Sequence, residues 1–242
     1  MPVKKAIVPN VVGTGLIVLD VTVSDVTPVP AHPVWTGGTC GNVLAILSFL
    51  GWKSQALGRI GNDAAGTCLT RDMLDSGVDT THLDREPAGT PIILHRVRVG
   101  RGGEVRHSYS FDCPQCERRY PSYRPVLVSR AEELLDVARA ATVFFFDRVS
   151  RGILDMAAAA KKGGAIVFFE PSAAGDEKPF LEAYELSDVI KYARDRRPKF
   201  EPWLEKATVR RRAPLEIETR GVEGLVYRLQ GERKWRPREA TP

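Results

Sequence analysis

The sequence predicts an α/β protein whose mainly parallel sheet is covered by helices on both faces, with a small second β-sheet beside it. Three observations predict it. Short β-branched and aromatic runs alternate with helix-like apolar segments along most of the 242 residues. A Pro-rich stretch after Asp20 breaks that rhythm. So does an alternating hairpin from Thr90 to Phe111, and the two misfits together suit a separate small sheet.

The elements follow in order. Val8 to Leu19 reads as one buried strand, apolar and β-branched, with Asp20 at its end. Pro28, Pro30 and Pro33 suit edge strands or loops, because proline cannot donate to a ladder. GGTCGN, residues 37–42, precedes the helix-like VLAILSFLG, whose Gly51 would close the helix. Ser54 to Ile60 is a further strand, and Ala64 to Ser76 a helix ending at Gly77. PIILHRVRV and EVRHSYSF form the hairpin around Gly100 to Gly103. Ser129 to Ala141 is a helix with Ser129 as N-cap and Glu132 three residues on, a capping box. TVFFFD and AIVFFEP are strands whose phenylalanines belong to the core. Between them lies an alanine-rich helix, Leu154 to Lys162, stopped by Gly163-Gly164. A helix from Phe180 to Leu186 and the strand DVIKY come next, then PLEIET and GLVYRL, joined through Arg220-Gly221.

Bulk properties exclude several classes. Apolar residues make up 43% and charged residues 27%, a globular mix rather than a disordered one. No segment reaches the roughly 18 apolar residues that span a bilayer, and no signal peptide is visible. The expectation is a cytoplasmic protein without a membrane partner. The net charge of +5 suits phosphorylated ligands and weighs only weakly for nucleic acid. From Lys191 to Pro242, 15 Lys/Arg face 8 Asp/Glu, so this region carries +7 and the remainder −2. Its run Arg210, Arg211, Arg212 reads first as a solvated surface and second as a phosphate or RNA contact.

Glycines and polar residues concentrate in GGTCGN, Leu50-Gly51 and GRIGNDAAG, residues 58–66. Gly37-Gly38 lets a backbone approach a ligand closely. Asn42, near a helix start, can donate to and accept from hydroxyls, or serve as a cap. Asp20 can accept two hydrogen bonds from a polyol, or cap a turn. No P-loop or dinucleotide fingerprint follows the first strand.

These segments, with GLIVLD and LDSGVDTTHL, resemble the PfkB-type (ribokinase-like) carbohydrate kinases, and the likeness runs over nearly the whole chain. The resemblance implies a three-layer α/β/α fold with a β-sheet lid built from about residues 21–36 and 90–111, the whole forming one incomplete domain. It implies ATP-dependent phosphorylation of a hydroxyl on a sugar or sugar-like molecule, with ATP and Mg²⁺. Asp20, Gly37, Gly38, Asn42 and Asp147 fall on the substrate side. Thr219, Gly221 and Gly224 match the TxGxxG segment beside the nucleotide. A lid-mediated homodimer is also implied.

Two departures from the family pattern bear on activity. After DVIKY the family carries Asn-x-x-Glu, which helps to place Mg²⁺; here those positions are Ala193 and Arg196, with Asp195 a weak substitute. No Gly-Ala-Gly-Asp segment, the family's anion hole and base, occurs in the sequence. The expectation is a truncated kinase, weak or inactive alone, with no catalytic residue of its own. The alternative is a non-catalytic sugar- or nucleotide-binding regulator derived from a kinase.

Cys113-Pro114-Gln115-Cys116 follows the hairpin. The pair makes half of a Zn²⁺ site, a redox pair, or plain loop cysteines. Cys40 and Cys68 lie in other elements, and His107 in a strand.

Overall fold

The structure, a computed structural model, describes residues 8–24, 34–100, 102–173, 175–210 and 213–240. The chain forms two compact units: Leu16–Arg124, and the residues up to Gly15 together with those from Pro125 onward.

The first apolar run is two strands, not one. β1 (Asn10–Thr14) ends at Gly15, whose φ of 142° only glycine holds easily. β2 (Val18–Ser24) then starts in the other unit. Asp20 is therefore the third residue of a small-sheet strand rather than the end of the first core strand.

The Leu16–Arg124 unit continues with β3 (Val34–Gly37), α1 (Thr39–Phe49), β4 (Lys53–Gly61), α2 (Ala64–Asp75), β5 (Val78–Glu86), β6 (Ile92–Val99) and β7 (Val105–Ser110). Four strands form the small sheet in the order β3-β2-β6-β7. The expected hairpin is present as antiparallel β6 and β7, while β2 and β6 run parallel. Pro28, Pro30 and Pro33 fall outside the described residues. β4 and β5 form a parallel pair, with α1 packed on β4 and α2 on β5. β5 escaped the sequence reading because only Val78 and Leu83 along it are buried hydrophobics.

GRIGNDAAG is a clamp. Asp63 caps α2 by accepting from Gly66 N at 2.8 Å. It also accepts from Thr90 N at 2.9 Å and Thr90 Oγ1 at 2.6 Å. A Cβ at Gly61 would strike the Gly89–Thr90 backbone, and one at Gly66 the Gly61 carbonyl. The motif ties the start of α2 to the turn before β6.

The other unit adds α3 (Val128–Glu133), α4 (Leu135–Arg139), β8 (Val143–Phe146), α5 (Arg151–Lys162), β9 (Ile166–Phe169), α6 (Glu177–Leu186), β10 (Val189–Ala193), α7 (Glu201–Arg210), β11 (Leu215–Thr219), β12 (Leu225–Leu229) and β13 (Arg236–Arg238). Strands lie in the order β13-β12-β11-β10-β9-β8-β1. Pairing is parallel from β1 to β11 and antiparallel at β12 and β13. The expected Ser129 helix is split at Leu134 and begins one residue earlier, with Leu127 as N-cap, so no capping box forms. Ser150 does cap α5, accepting from Ile153 N at 3.4 Å. In the basic run, Arg211 and Arg212 lie outside the described residues.

This unit's core is aromatic. Phe144, Phe145, Phe146 and Phe169 are at most 2% exposed. Phe146 stacks on its register partner Phe169 at 4.8 Å, and Phe169 meets Phe180 edge-on. Burial of each ring stabilises by about 1.5–3 kcal/mol. That rigid floor fixes the ends of β8 and β9, from which Asp147 and Glu170 follow.

Candidate functional site

The expected site residues fall into two groups, one in each unit. In the small-sheet unit, Asp20 and Gly37 meet. A Cβ at Gly37 would overlap the Asp20 carboxylate, so the glycine is what gives that side chain its room. Asp20 Oδ1 is buried and has no hydrogen-bond partner among the described residues. Burial pushes the Asp20 carboxyl up to about 6. An unpaired buried carboxylate oxygen is costly by itself, and a hydroxyl donor would relieve that cost.

Gly38 is the N-cap of α1 at φ 78°, and a Cβ there would run into the Leu16 carbonyl. That carbonyl accepts from Cys40 N at 3.1 Å and Gly41 N at 3.3 Å. Asn42 is exposed in the first turn of α1. It is not the cap residue, so its amide is left for other work.

Strand register adds residues that the sequence reading did not select. Asp20 pairs with Trp35 and Ile93, Thr22 with His95, and His95 with Tyr109, placing them on one face of the small sheet. His95 Nε2 and His107 Nδ1 stand 2.9 Å apart, and the His95 ring stacks on Tyr109 at 4.6 Å. Burial and the neighbouring His107 hold the His95 imidazole below its ordinary value. The alternation of the hairpin, once its turn is fixed, carries the signal that these side chains share the face of Asp20.

In the other unit, Asp147 follows β8 and is 1% exposed. Its Oδ2 accepts from Arg148 Nη1 and from Ser172 Oγ, both at 2.8 Å. Arg148 also bonds Ser172. A Cβ at Gly15 would overlap Asp147 Oδ1. Gly15→Ala therefore combines a strained φ with a steric clash and should destabilise by about 2–3 kcal/mol. In a chain of this size that lowers the thermal midpoint by roughly 5–10 °C. A melting curve matching wild type would remove Gly15 from the support of Asp147.

Thr219, Gly221 and Gly224 sit at the β11–β12 turn. Thr219 Oγ1 donates to Tyr192 O at 3.4 Å, and Arg220 N to Gly224 O at 2.8 Å. Gly221, at φ 60°, has open space where a Cβ would lie, so a ligand can reach its backbone. Gly224 has a packing role instead: a Cβ there would strike the Arg238–Ala240 backbone.

The positions that the resemblance assigns to Mg²⁺ placement do not fit a cation. Ala193 offers no ligand, and Arg196 presents a guanidinium that donates to Ser172 O at 3.3 Å. Asp195 is exposed. Glu170 is held by Lys191 Nζ at 2.6 Å. Among the described residues no three His, Cys, Asp or Glu side chains are grouped to hold a metal ion, so the Cys113/Cys116 half-site is not completed. No helix among them is long and apolar enough to cross a membrane.

The fold is ribokinase-like: a large, mostly parallel sheet with helices, and a small separate sheet. The structure of Arabidopsis thaliana ribokinase complexed with ribose and ATP matches 98% of this chain and 79% of its own, with a TM-score of 0.68 at 18% identity. Adenosine kinase from Sinorhizobium meliloti matches 97% of this chain and 80% of its own, with a TM-score of 0.70 at 18% identity. By sequence the chain is 23% identical over 224 residues to the probable chloroplastic fructokinase-6 of Arabidopsis thaliana. It is 28% identical over 170 residues to fructokinase-2 of Solanum lycopersicum. These alignments cover 82% and 64% of this chain. The chain spans about half the length of these curated relatives, 55% and 49%. No protein-family profile matches it. In fold and in sequence, the chain resembles the PfkB-type carbohydrate kinases.

Proposed function

We propose that the chain binds a neutral, polyhydroxylated small molecule through the Asp20 face of its small sheet, as part of an ATP-dependent carbohydrate kinase. The observation that carries this reading is the buried, unpartnered Asp20 Oδ1 beside a glycine that keeps its carboxylate clear. Vicinal hydroxyls would donate to both Asp20 oxygens, with Asn42 adding a donor and an acceptor. The small sheet acts as a lid that excludes water from the sugar. In the other unit, Asp147 is held by Arg148 and Ser172 and is the residue there that the resemblance assigns to the substrate. ATP, bound by the Thr219–Gly224 turn, would supply the phosphoryl group.

Titration calorimetry with pentoses, hexoses and nucleosides tests the substrate half. Losing two hydrogen bonds to a charged group, about 3–6 kcal/mol together, should weaken binding by at least about 100-fold in Asp20→Ala. Gly37→Ala should do the same by crowding the carboxylate. Equal affinity in wild type and both variants would sink the assignment.

A specific observation favours a second reading, a sugar-binding regulator without catalysis: Ala193 and the guanidinium of Arg196 stand where a metal-organising pair is expected. A product assay with ATP and whichever sugar binds separates the two. Kinases of ordinary efficiency turn over at about 1–100 per second. Turnover in that range excludes the regulator, and tight binding without product favours it.

A further inference from the structure

Beyond the sugar site, the segment after β7 holds a second arrangement with chemistry of its own. Residues 111–120 close into a small hairpin. Tyr120 N donates to Phe111 O at 2.7 Å, Cys113 N to Arg118 O at 2.8 Å, and Glu117 N to Cys113 O at 3.0 Å. Asp112 and Arg119 form an isolated antiparallel bridge. Glu117 takes φ 57°, a left-handed conformation uncommon outside glycine. This tight turn wraps the backbone around the sulfur of Cys113. The backbones of Gln115 and Cys116 favour its thiolate most, followed by the Cys116 thiol and the Tyr120 hydroxyl. Together they hold the Cys113 thiol down at about 7.

The surroundings select a ligand. Cys113 lines a groove of about 540 Å³ that also carries Arg96, Arg98 and Ser108. Arg96 Nε is buried there without a hydrogen-bond partner among the described residues. Asp112 and Glu117 border the groove from the turn, and Asp112 already faces Arg119 at 3.7 Å. Cys116 is exposed, ready to take part in exchange.

We propose that Cys113 and Cys116 form a thiol–disulfide exchange site for low-molecular-weight disulfides that carry carboxylates. The carboxylates would sit on Arg96 and Arg98. The Cys113 thiolate attacks one sulfur of the external disulfide, breaking its S–S bond, and the first thiolate leaves and takes up a proton. Cys116 then loses its proton to solvent and attacks the Cys113 sulfur, releasing the second thiolate. Two protein thiols become one disulfide, and the external disulfide becomes two thiols.

The test treats the full chain with oxidised glutathione at neutral pH, followed by intact and peptide mass measurement. Wild type should lose the mass of two hydrogens, mapped to a Cys113–Cys116 bond. Cys116→Ser should instead stop at one glutathionyl group on Cys113. Cys113→Ser should leave Cys116 unreacted over the same time. Cys68, exposed on α2, is the internal control. Near pH 7, about half of Cys113 is thiolate, so a maleimide should label it markedly faster than the exposed Cys68. Circular dichroism checks that each variant is folded. Equal labelling of Cys113 and Cys68, or a wild type that accumulates only the mixed disulfide, overturns the proposal. So does zinc retained at one ion per two chains that shields both thiols.

Discussion

Asp20→Asn should leave the chain more stable than wild type above about pH 6, yet weaken the sugar binding proposed above. The carboxyl titrates near 6 in the folded chain, against 3.8 for the free group. Between those values the folded protein keeps a proton that the unfolded chain has released. Wild-type stability should therefore fall as pH rises from about 4 to about 6, and stay lowered above that. An amide carries no such penalty. The gap between the folded and free values sets a ceiling of about 3 kcal/mol, and partial exposure reduces the expected gain to about 1–2 kcal/mol. Urea unfolding at about pH 4 and pH 8 should show the variant's advantage only at the higher value. An equal difference at both would mean that Asp20 is not the titrating group. Sugar binding runs the other way: hydroxyl donors favour the ionised form, so wild-type affinity should weaken roughly tenfold per pH unit below about 6. The variant should bind weakly at every pH.

Glu216→Ala should be the most damaging single change to stability. Glu216 is fully buried on β11. It accepts from Tyr192 Oη at 2.7 Å and from Arg228 Nε at 2.7 Å, the latter being its cross-strand partner on β12. Burial, then the Glu216 charge, pushes the Tyr192 phenol well up. Alanine would strand a largely buried guanidinium and a buried hydroxyl, at a cost of about 3–5 kcal/mol. Glu216→Gln keeps an acceptor for Tyr192 and should lose less. A loss below about 1 kcal/mol in urea unfolding of the alanine variant would show that water replaces the carboxylate, and that the buried network is not what holds β11 to β12. Two residues on, Glu218 is held by Arg197 Nη1 at 3.0 Å and Arg220 Nε at 2.8 Å, which extends the network to the turn carrying Thr219 and Gly221.

The same strand shows where sequence reading stops. PLEIET alternates cleanly, so a strand was legible. The pattern would suggest leucine and isoleucine inside, yet Glu216 and Glu218 are the buried residues and Leu215 and Ile217 only half-buried. The partners that reverse the faces are Arg228, Arg197 and Tyr192, and no local window contains them all. The glycine array was legible as a resemblance, but its physical content, Asp63 clamped on Thr90, depends on a contact 27 residues away. The break at Gly15 was hidden by an apolar run that continues through it into another sheet. α7 was missed because its sequence, EPWLEKATVR, mixes charges with few apolar positions. Asp20 and Gly37 were both selected from sequence; that one makes room for the other was visible only once β2 and β3 were paired.

The Leu16 carbonyl has a consequence for ligand choice. A helix start normally offers free N–H groups and a partial positive charge to an anion. At α1 two of those donors are already taken by a backbone oxygen of the same unit. The ionised Asp20 on β2 adds negative charge to that unit near neutral pH. A sugar that already carries a phosphate or carboxylate would find repulsion there and fewer free donors, whereas an uncharged polyol would lose nothing. On the proposed reading, a carbonyl and a missing methyl group would set that preference at the binding step.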